Sequence, residues 1–315
     1  MRRVYLSLTG GLGNQLFQVV AALAIAKGEE VVVEWVNLRP RQNSKQQCEI
    51  ADFTLPENVT FQNRHKFQLL SSKSVGYLLR MGVNPRSYEK YRPFQLVTSC
   101  LASLLNVRTF GRYVSVGLNR GVGYFPEVNR KRSGSLHLVG YFQTYRWFAE
   151  LDQNRMLSQM KARKQSDALK SLVALAKLED PLVVHMRFGD YRLENSFGLL
   201  TPTYYRESVR ELWLSGNYKS IWVFSDEIEA AKNYLRDIDV NEIRYISNVA
   251  NSATQTLEAM RLGKGYVIGN SSFSWWAARL SHNLDAKVIA PTPWFVGQNE
   301  PVDLIPPNWM RKRGH

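Results

Sequence analysis

The run Val4-Tyr5-Leu6-Ser7-Leu8-Thr9-Gly10-Gly11-Leu12-Gly13-Asn14-Gln15-Leu16-Phe17-Gln18 passes from a short β-rich stretch, through three glycines, into an apolar helical pattern. Residues 4–8 read as a strand, 10–13 as a glycine turn, 14–27 as a helix and 31–35 as the next strand, which together make one β-α-β unit. The same alternation resumes at Pro181. Strands at 182–187, 220–224, 243–246, 266–268 and 287–289 are separated by helices at 202–214, 227–236, 254–262 and 273–281. Such alternation predicts an α/β architecture with parallel sheets, and the second run reads as a Rossmann-like domain. The boundary is expected near residues 150–180. Between the two runs, 96–105 has the spacing of a helix with a core face, 136–142 reads as a strand and 147–176 as helical.

The chain has 315 residues, 44% hydrophobic and 22% charged, enough apolar material for a packed core. No stretch approaches the roughly 20 apolar residues that span a bilayer. Met1-Arg2-Arg3 resembles a signal-peptide start, but the apolar run after it is too short, so a first strand is expected instead. Two cysteines, Cys48 and Cys100, cannot form a disulfide framework, and no Cys or His spacing suggests zinc, which suits a reducing cytosol.

The formal net charge is +14, and most of the excess lies in residues 60–135, where 13 Lys or Arg face two acids, Glu89 and Glu127. Such a block suits nucleic acid, an anionic membrane or an anionic small substrate, and charge alone does not choose among them. Recognition-helix, RNP-type and zinc signatures are all missing, which argues against nucleic acid as a partner.

Four motifs carry chemistry. The turn Gly10-Gly11-Leu12-Gly13-Asn14-Gln15 either brings backbone N–H groups to a phosphate or is an ordinary tight turn. Leu16 stands where a dinucleotide fingerprint needs glycine, and Glu34 is the only near candidate for its acid, so a nicotinamide or flavin enzyme is disfavoured. His185-Met186-Arg187-Phe188-Gly189-Asp190-Tyr191 closes a buried strand, where an open parallel sheet meets its ligand and Arg offers a fork for phosphate oxygens. Asn270-Ser271-Ser272 either caps a helix start, with Phe273, Trp275 and Trp276 filling the core, or contacts a ligand there; core is preferred for the tryptophans and ligand contact for Asn270, Ser271 and Ser272, because two other phosphate-type sites accompany them. Ser225-Asp226-Glu227 caps a helix, holds Arg187 or binds magnesium; too few oxygen ligands stand at recognisable spacing for the metal, and support of Arg187 is preferred.

In this order, residues 10–18, Gly140-Tyr141-Phe142-Gln143, residues 185–191, Phe224-Ser225-Asp226-Glu227 and residues 270–278 resemble the α-1,2-fucosyltransferases of glycosyltransferase family 11. The resemblance implies a GT-B fold, in which two Rossmann-like domains face each other across a cleft. The expected domains are an acceptor-side domain at 1–160 with a basic insert at about 60–135, and a donor domain at 161–315. It further implies inverting transfer of L-fucose from GDP-β-L-fucose to the 2-hydroxyl of a galactoside, with no metal and no cofactor. The donor site so implied comprises Gly11, Gly13, Asn14, Gln15, His185, Arg187, Asp226, Asn270, Ser271, Ser272 and Phe273. Arg187 would hold the diphosphate.

Chemically, charge grows on the leaving diphosphate, and Arg187 and the helix start at 271–273 suit its stabilisation. Asp190, Glu194 and His185 are candidates for the base that takes the acceptor proton, with Arg187 and Asp190 as the catalytic pair. Four positions depart from the family pattern: Phe188 replaces a second Arg, Thr256 an Asp with Glu258 as a substitute nearby, and Gly263 and Gly265 a Cys and a His. The expected setting is cytoplasmic assembly of O-antigen or a similar surface polysaccharide on a galactose-terminated, lipid-linked glycan. There the basic block would face the lipid diphosphate or the anionic inner leaflet of the membrane.

Overall fold

The computed structural model describes residues 3–36, 47–62, 114–118, 124, 135–192, 197–240, 242–296, 300 and 303–315; for 114–118, Ser135 and Asp190 it describes the backbone only. The helix expected at 96–105, Glu194, Cys100 and every Lys and Arg of the basic block lie outside these residues. The chain divides into two units, Met1–Met160 with Pro301–Leu304, and Lys161–Glu300 with Ile305–His315. Among the described residues no helix is long and apolar enough to cross a membrane.

In the first unit β1 (Arg3–Leu8) leads through α1 (Leu12–Ala26) to β2 (Glu30–Trp35), followed by β3 (Val59–Phe61), β4 (Val114–Leu118) and β5 (Ser135–Val139). All pair in parallel, in the order β3-β2-β1-β5-β4. Val4, Leu6 and Leu8 alternate along β1 and are buried; Val4 and Leu6 are in register with the buried Val31 and Val33 of β2 and Leu136 and Leu138 of β5, and Leu8 with the half-buried Trp35. That period of two gives the sheet an apolar face. Helix α1 has only two residues that are not buried, Asn14 and Ile25. It ends at Lys27, in the left-handed region at φ 49°, with its N–H on Leu23 O.

Two short helices close the unit, α2 (Tyr145–Ala149) and α3 (Gln153–Gln159), and α4 (Asp167–Glu179) opens the next. The stretch 147–176, expected as one helical tract, is therefore three helices. Asp152 and Ser166 turn their side chains back onto the N–H groups of Arg155 and Leu169, starting new helices at α3 and α4.

The second unit holds β6 (Leu182–Met186), α5 (Pro202–Ser215), β7 (Ile221–Ser225), α6 (Ile228–Leu235), β8 (Ile243–Ile246), α7 (Ala253–Met260), β9 (Gly265–Val267), α8 (Ser272–Arg279), β10 (Lys287–Thr292) and β11 (Met310–Arg313). The sheet is wholly parallel, in the order β11-β10-β9-β6-β7-β8. Its first strand lies beside its fourth, so the chain reverses direction across the sheet between β6 and β9. This is the doubly wound order, whose ligand crevice opens at the carboxyl ends of the strands flanking the reversal. Leu182, Val184, Met186 and Phe188 point into a core shared with Tyr204, Tyr205, Val209 and Leu212 of α5.

At the opposite, amino edge of this sheet, the Glu179 carboxylate accepts from Arg244 Nε at 3.0 Å and from Trp222 Nε1 at 2.8 Å. The hydrogen bond from Arg244, more than the one from Trp222, holds its pKa down at about 2. A depressed carboxylate contributes stability above its unfolded pKa and loses it as pH falls toward the folded value. Glu179→Gln should therefore lower the melting temperature by about 2–4 °C at pH 7, as expected for roughly 1 kcal/mol. The gap to wild type should close as scans are repeated from pH 4.5 down toward 2.

Candidate functional site

The β6–β9 reversal brings the His185 and Asn270 motifs together. Core-facing alternation along β6 places Met186 and Phe188 inward, so His185 and Arg187 share the other face. Past the strand end, the Asp226 carboxylate accepts from Phe188 N–H at 3.0 Å and Gly189 N–H at 3.1 Å, and pairs with the Arg187 guanidinium at 3.2 Å. Gly189 allows this approach, because a Cβ there would lie 2.8 Å from Asp226 Oδ2. Hydrogen bonds to a charged acceptor contribute roughly 1.5–3 kcal/mol each, so one carboxylate sets both the turn and the direction of its Arg. Arg187 remains 39% exposed and Asp226 24%.

The chain continues as a single 3-10 turn, Asp190–Arg192. The Asp190 side chain lies outside what is described. Tyr191 donates its hydroxyl to Asn270 O at 3.2 Å and stacks on Phe197, while Arg192 pairs with Glu227 at 2.7 Å. Across the reversal, Ser271 caps α8 by accepting from Phe273 N–H at 3.3 Å, and the Phe273 ring sits 6.0 Å from that of His185. The positive start of α8 is thus beside Arg187's strand, a combination suited to a diphosphate. Trp275 and Trp276 are fully buried.

His185 is 7% exposed and its Nδ1 has no hydrogen-bond partner. Burial, reinforced by the Arg187 charge, lowers its pKa to about 3, so the ring is neutral at physiological pH. Gly269 lies against it: a Cβ would stand 3.2 Å from His185 O and 3.3 Å from Tyr205 Oη. Tyr205, at the head of α5, carried no sequence signal because nothing in its surroundings distinguishes it from a core tyrosine.

Several residues expected to contact the donor make internal hydrogen bonds. Asn270 spends its Nδ2 on the carbonyls of Phe197 at 2.8 Å, Gly198 at 3.3 Å and Trp294 at 3.4 Å, tying two loops to the strand end. Gln15 is fully buried; its Nε2 donates to Gly10 O at 2.7 Å and Gln47 O at 2.8 Å, and its Oε1 accepts from Ile50 N–H at 2.8 Å. Gln18 closes the N–H and C=O of Thr9 in the same way. The Leu12 N–H at the head of α1 is already capped by the Glu49 carboxylate at 2.8 Å. The Gly11 and Gly13 turn, expected to cradle phosphate, therefore has its helix end neutralised by the protein's own acid. Asn14 is half-buried and accepts from Gln143 Nε2 at 2.7 Å, joining the ends of β1 and β5.

The departures from the family pattern also have local causes. Phe188 points into the core and meets the Tyr234 ring edge-on at 4.9 Å. Thr256 caps its own turn, accepting from Val249 N–H and donating to Ser252 O, both at 2.8 Å. Glu258 makes a buried pair with Arg261 at 2.7 Å and accepts from Ala162 N–H at 3.1 Å, both through Oε1. Breaking a buried pair of this kind costs about 3–5 kcal/mol. At Gly263 a Cβ would meet Tyr266 and Val183, and at Gly265 the Tyr218 ring, so neighbouring side chains fill the space. Among the described residues, no group of three His, Cys, Asp or Glu is placed to hold a metal ion.

The model of glycosyl transferase family 11 matches residues 131–311, more than half of the chain and all of the Arg187 and Asn270 motifs. The chain belongs to glycosyl transferase family 11. It is 27% identical over 322 aligned positions to an α-1,2-colitosyltransferase of Escherichia coli, covering 99% of each chain. It is 21% identical to the O-antigen biosynthesis glycosyltransferase WbnK of Escherichia coli, covering 94% of this chain and 96% of that one. Among solved structures it is similar to the fucosyltransferase NodZ from Bradyrhizobium, with 12% identity, TM-score 0.49 and coverage of 89% and 93%. It is also similar to POFUT1 in complex with GDP, with 13% identity, TM-score 0.48 and coverage of 92% and 98%.

Gly189→Ala tests whether Asp226 sets the Arg187 loop. A displaced carboxylate should lower kcat/KM for glycosyl transfer by about 10- to 100-fold, the cost of misplacing a charged group by an ångström, with the fold retained by circular dichroism.

Proposed function

We propose that this chain is an inverting transferase that moves L-fucose from GDP-β-L-fucose to the 2-hydroxyl of a terminal galactoside, without a metal ion. The observation that carries the reading is the Arg187 guanidinium, held by Asp226 at the β6–β9 reversal beside the start of α8. As the bond from the anomeric carbon to the β-phosphate breaks, negative charge grows on the diphosphate. A fixed guanidinium and a helix head stabilise that charge without reorganising. The 1,2 linkage is supported by the name of the relative that matches along 99% of the chain. The polysaccharide context is supported by WbnK, an O-antigen biosynthesis enzyme. On this reading the acceptor is a galactose-terminated, lipid-linked glycan, and the enzyme works in the cytoplasm with peripheral contact at the inner leaflet.

A second donor has specific support, since that same relative transfers colitose. Colitose is fucose without its 3-hydroxyl. A site that hydrogen-bonds this hydroxyl would reject the deoxy sugar by about 10⁴-fold, whereas an apolar pocket discriminates far less. Incubation with equal GDP-fucose and GDP-colitose, with Galβ1-3 and Galβ1-4 acceptors and linkage determined by NMR, separates the two. Fucosyl α-1,2-galactoside, undiminished in EDTA, is expected; colitosyl product alone would assign the second donor.

Arg187→Ala should reduce transfer by at least about 100-fold, the loss of a transition-state charge partner, with the fold retained by circular dichroism. Near-wild-type turnover would remove Arg187 from the chemistry.

A further inference from the structure

The residue before the α8 cap gathers aromatic side chains. Asn270, 3% exposed, donates its amide to the carbonyls of Phe197, Gly198 and Trp294, and its own carbonyl accepts the Tyr191 hydroxyl. The loops that follow β6 and β10 are thereby drawn to the head of α8. Tyr191 stacks on Phe197 with ring centroids 4.9 Å apart and planes at 16°, and the Phe197 ring lies 5.9 Å from that of Phe295. Gly198 lets the two loops meet: its φ is +68°, and a Cβ there would collide with Val296. Phe295 is buried, while Tyr191 and Phe197 are half-buried and keep part of their faces open.

These rings have a fixed place beside the diphosphate site. In the strand order β10-β9-β6-β7, the carboxyl edge carries Phe295, then Ser271, then Arg187, then Asp226. Charge therefore flanks the head of α8 on its β7 side, and aromatic surface flanks it on its β10 side. Polar atoms next to the rings are engaged within the protein. The Tyr191 hydroxyl is on Asn270 O, the Trp294 N–H is on Glu300 at 2.7 Å, and the carbonyls of Phe197, Gly198 and Trp294 share the Asn270 amide.

We propose that the rings of Tyr191, Phe197 and Phe295 receive the C6 methyl of the donor sugar and select 6-deoxy sugars over their hydroxylated parents. This rests on the transferase reading above and names what that site recognises. Fucose and colitose both carry a methyl at C6, where L-galactose carries a hydroxymethyl group. An aromatic surface gains by covering a methyl, whereas a hydroxyl placed there gives up its water for little in return. Phe197, the middle ring, touches both others and is the specificity-determining residue.

The test measures the binding of GDP, GDP-L-fucose and GDP-L-galactose to wild type, Phe197→Ala and Phe197→Leu by calorimetry. The two sugars differ at C6 alone, and binding needs neither acceptor nor turnover, so the ratio is read even where colitose proves the transferred sugar. Wild type should bind GDP-L-fucose about 10- to 100-fold more tightly than GDP-L-galactose, the range over which an apolar pocket rejects an added hydroxyl. Phe197→Ala should shrink that ratio to within about threefold, with affinity for GDP itself and the circular dichroism retained, and Phe197→Leu should restore part of it. A wild-type ratio near one, or a ratio that Phe197→Ala leaves unchanged, overturns the proposal while the transferase reading stands. An equal loss of GDP and GDP-L-fucose affinity in Phe197→Ala also overturns it, since the rings then hold the nucleoside. Absence of GDP binding to wild type removes the donor site and this proposal together.

Discussion

A single carboxylate organises the end of β6. Asp226 binds two successive backbone N–H groups and one guanidinium, and each contact depends on the others. The N–H bonds fix the turn after Phe188, and the turn fixes where the Arg187 side chain leaves the backbone. Gly189 leaves the carboxylate room to approach. Because β7 delivers Asp226 and β6 delivers Arg187, the parallel pairing of these two strands is what makes the charged loop. The doubly wound order then places β9 and the head of α8 on the other side of β6. Fold and electrostatics therefore converge on one strand end.

The two units use similar turns for different ends. In the second, a strand-to-helix turn presents charge outward from a loop braced from behind. In the first, the glycine turn is closed from within by Gln15, Gln18 and Glu49, all engaged with backbone groups. Both N–H donors of the buried Gln15 amide are used inside the protein, and its oxygen already accepts one backbone N–H. The Gly-Asn-Gln run therefore shapes the carboxyl edge of its sheet, and the half-buried Asn14 is the member left at that edge. The hydrogen bond its Oδ1 accepts from Gln143 Nε2 spans the reversal of strand order, as the hydrogen bond from Tyr191 to Asn270 O does in the other unit.

Strong periodicity made most of this fold legible. The strand at 243–246 coincides with β8, and the elements around 182–187, 202–214 and 220–224 differ by a residue or so from β6, α5 and β7. The strand β11 is not legible because Met310-Arg311-Lys312-Arg313 shows no apolar alternation, and β3 and β4, of three and five residues, alternate over too short a run to stand out; pairing with a neighbour makes all three strands. In the site, the sequence marks His185 and Arg187 as polar residues at the end of a buried strand, and the structure has both at the carboxyl end of β6. The internal hydrogen bonds of Gln15 and Asn270 are not legible, since a sequence does not show which amides bond to nearby carbonyls. The burial of Glu34, weighed in the sequence only as the acid of a dinucleotide fingerprint, is not legible, since an acid near the end of a strand looks like any surface carboxylate.

The claim on which the rest depends is that the Asp226-braced loop and the head of α8 form the anion site. A crystal structure of the chain soaked with GDP tests it most directly. The account predicts diphosphate oxygens within hydrogen-bond distance of the Arg187 guanidinium and the first N–H groups of α8, with Asp226 still on Phe188 and Gly189. A diphosphate seated instead on the Gly10–Gly13 turn, with Glu49 displaced from Leu12 and Arg187 making no contact, would contradict it.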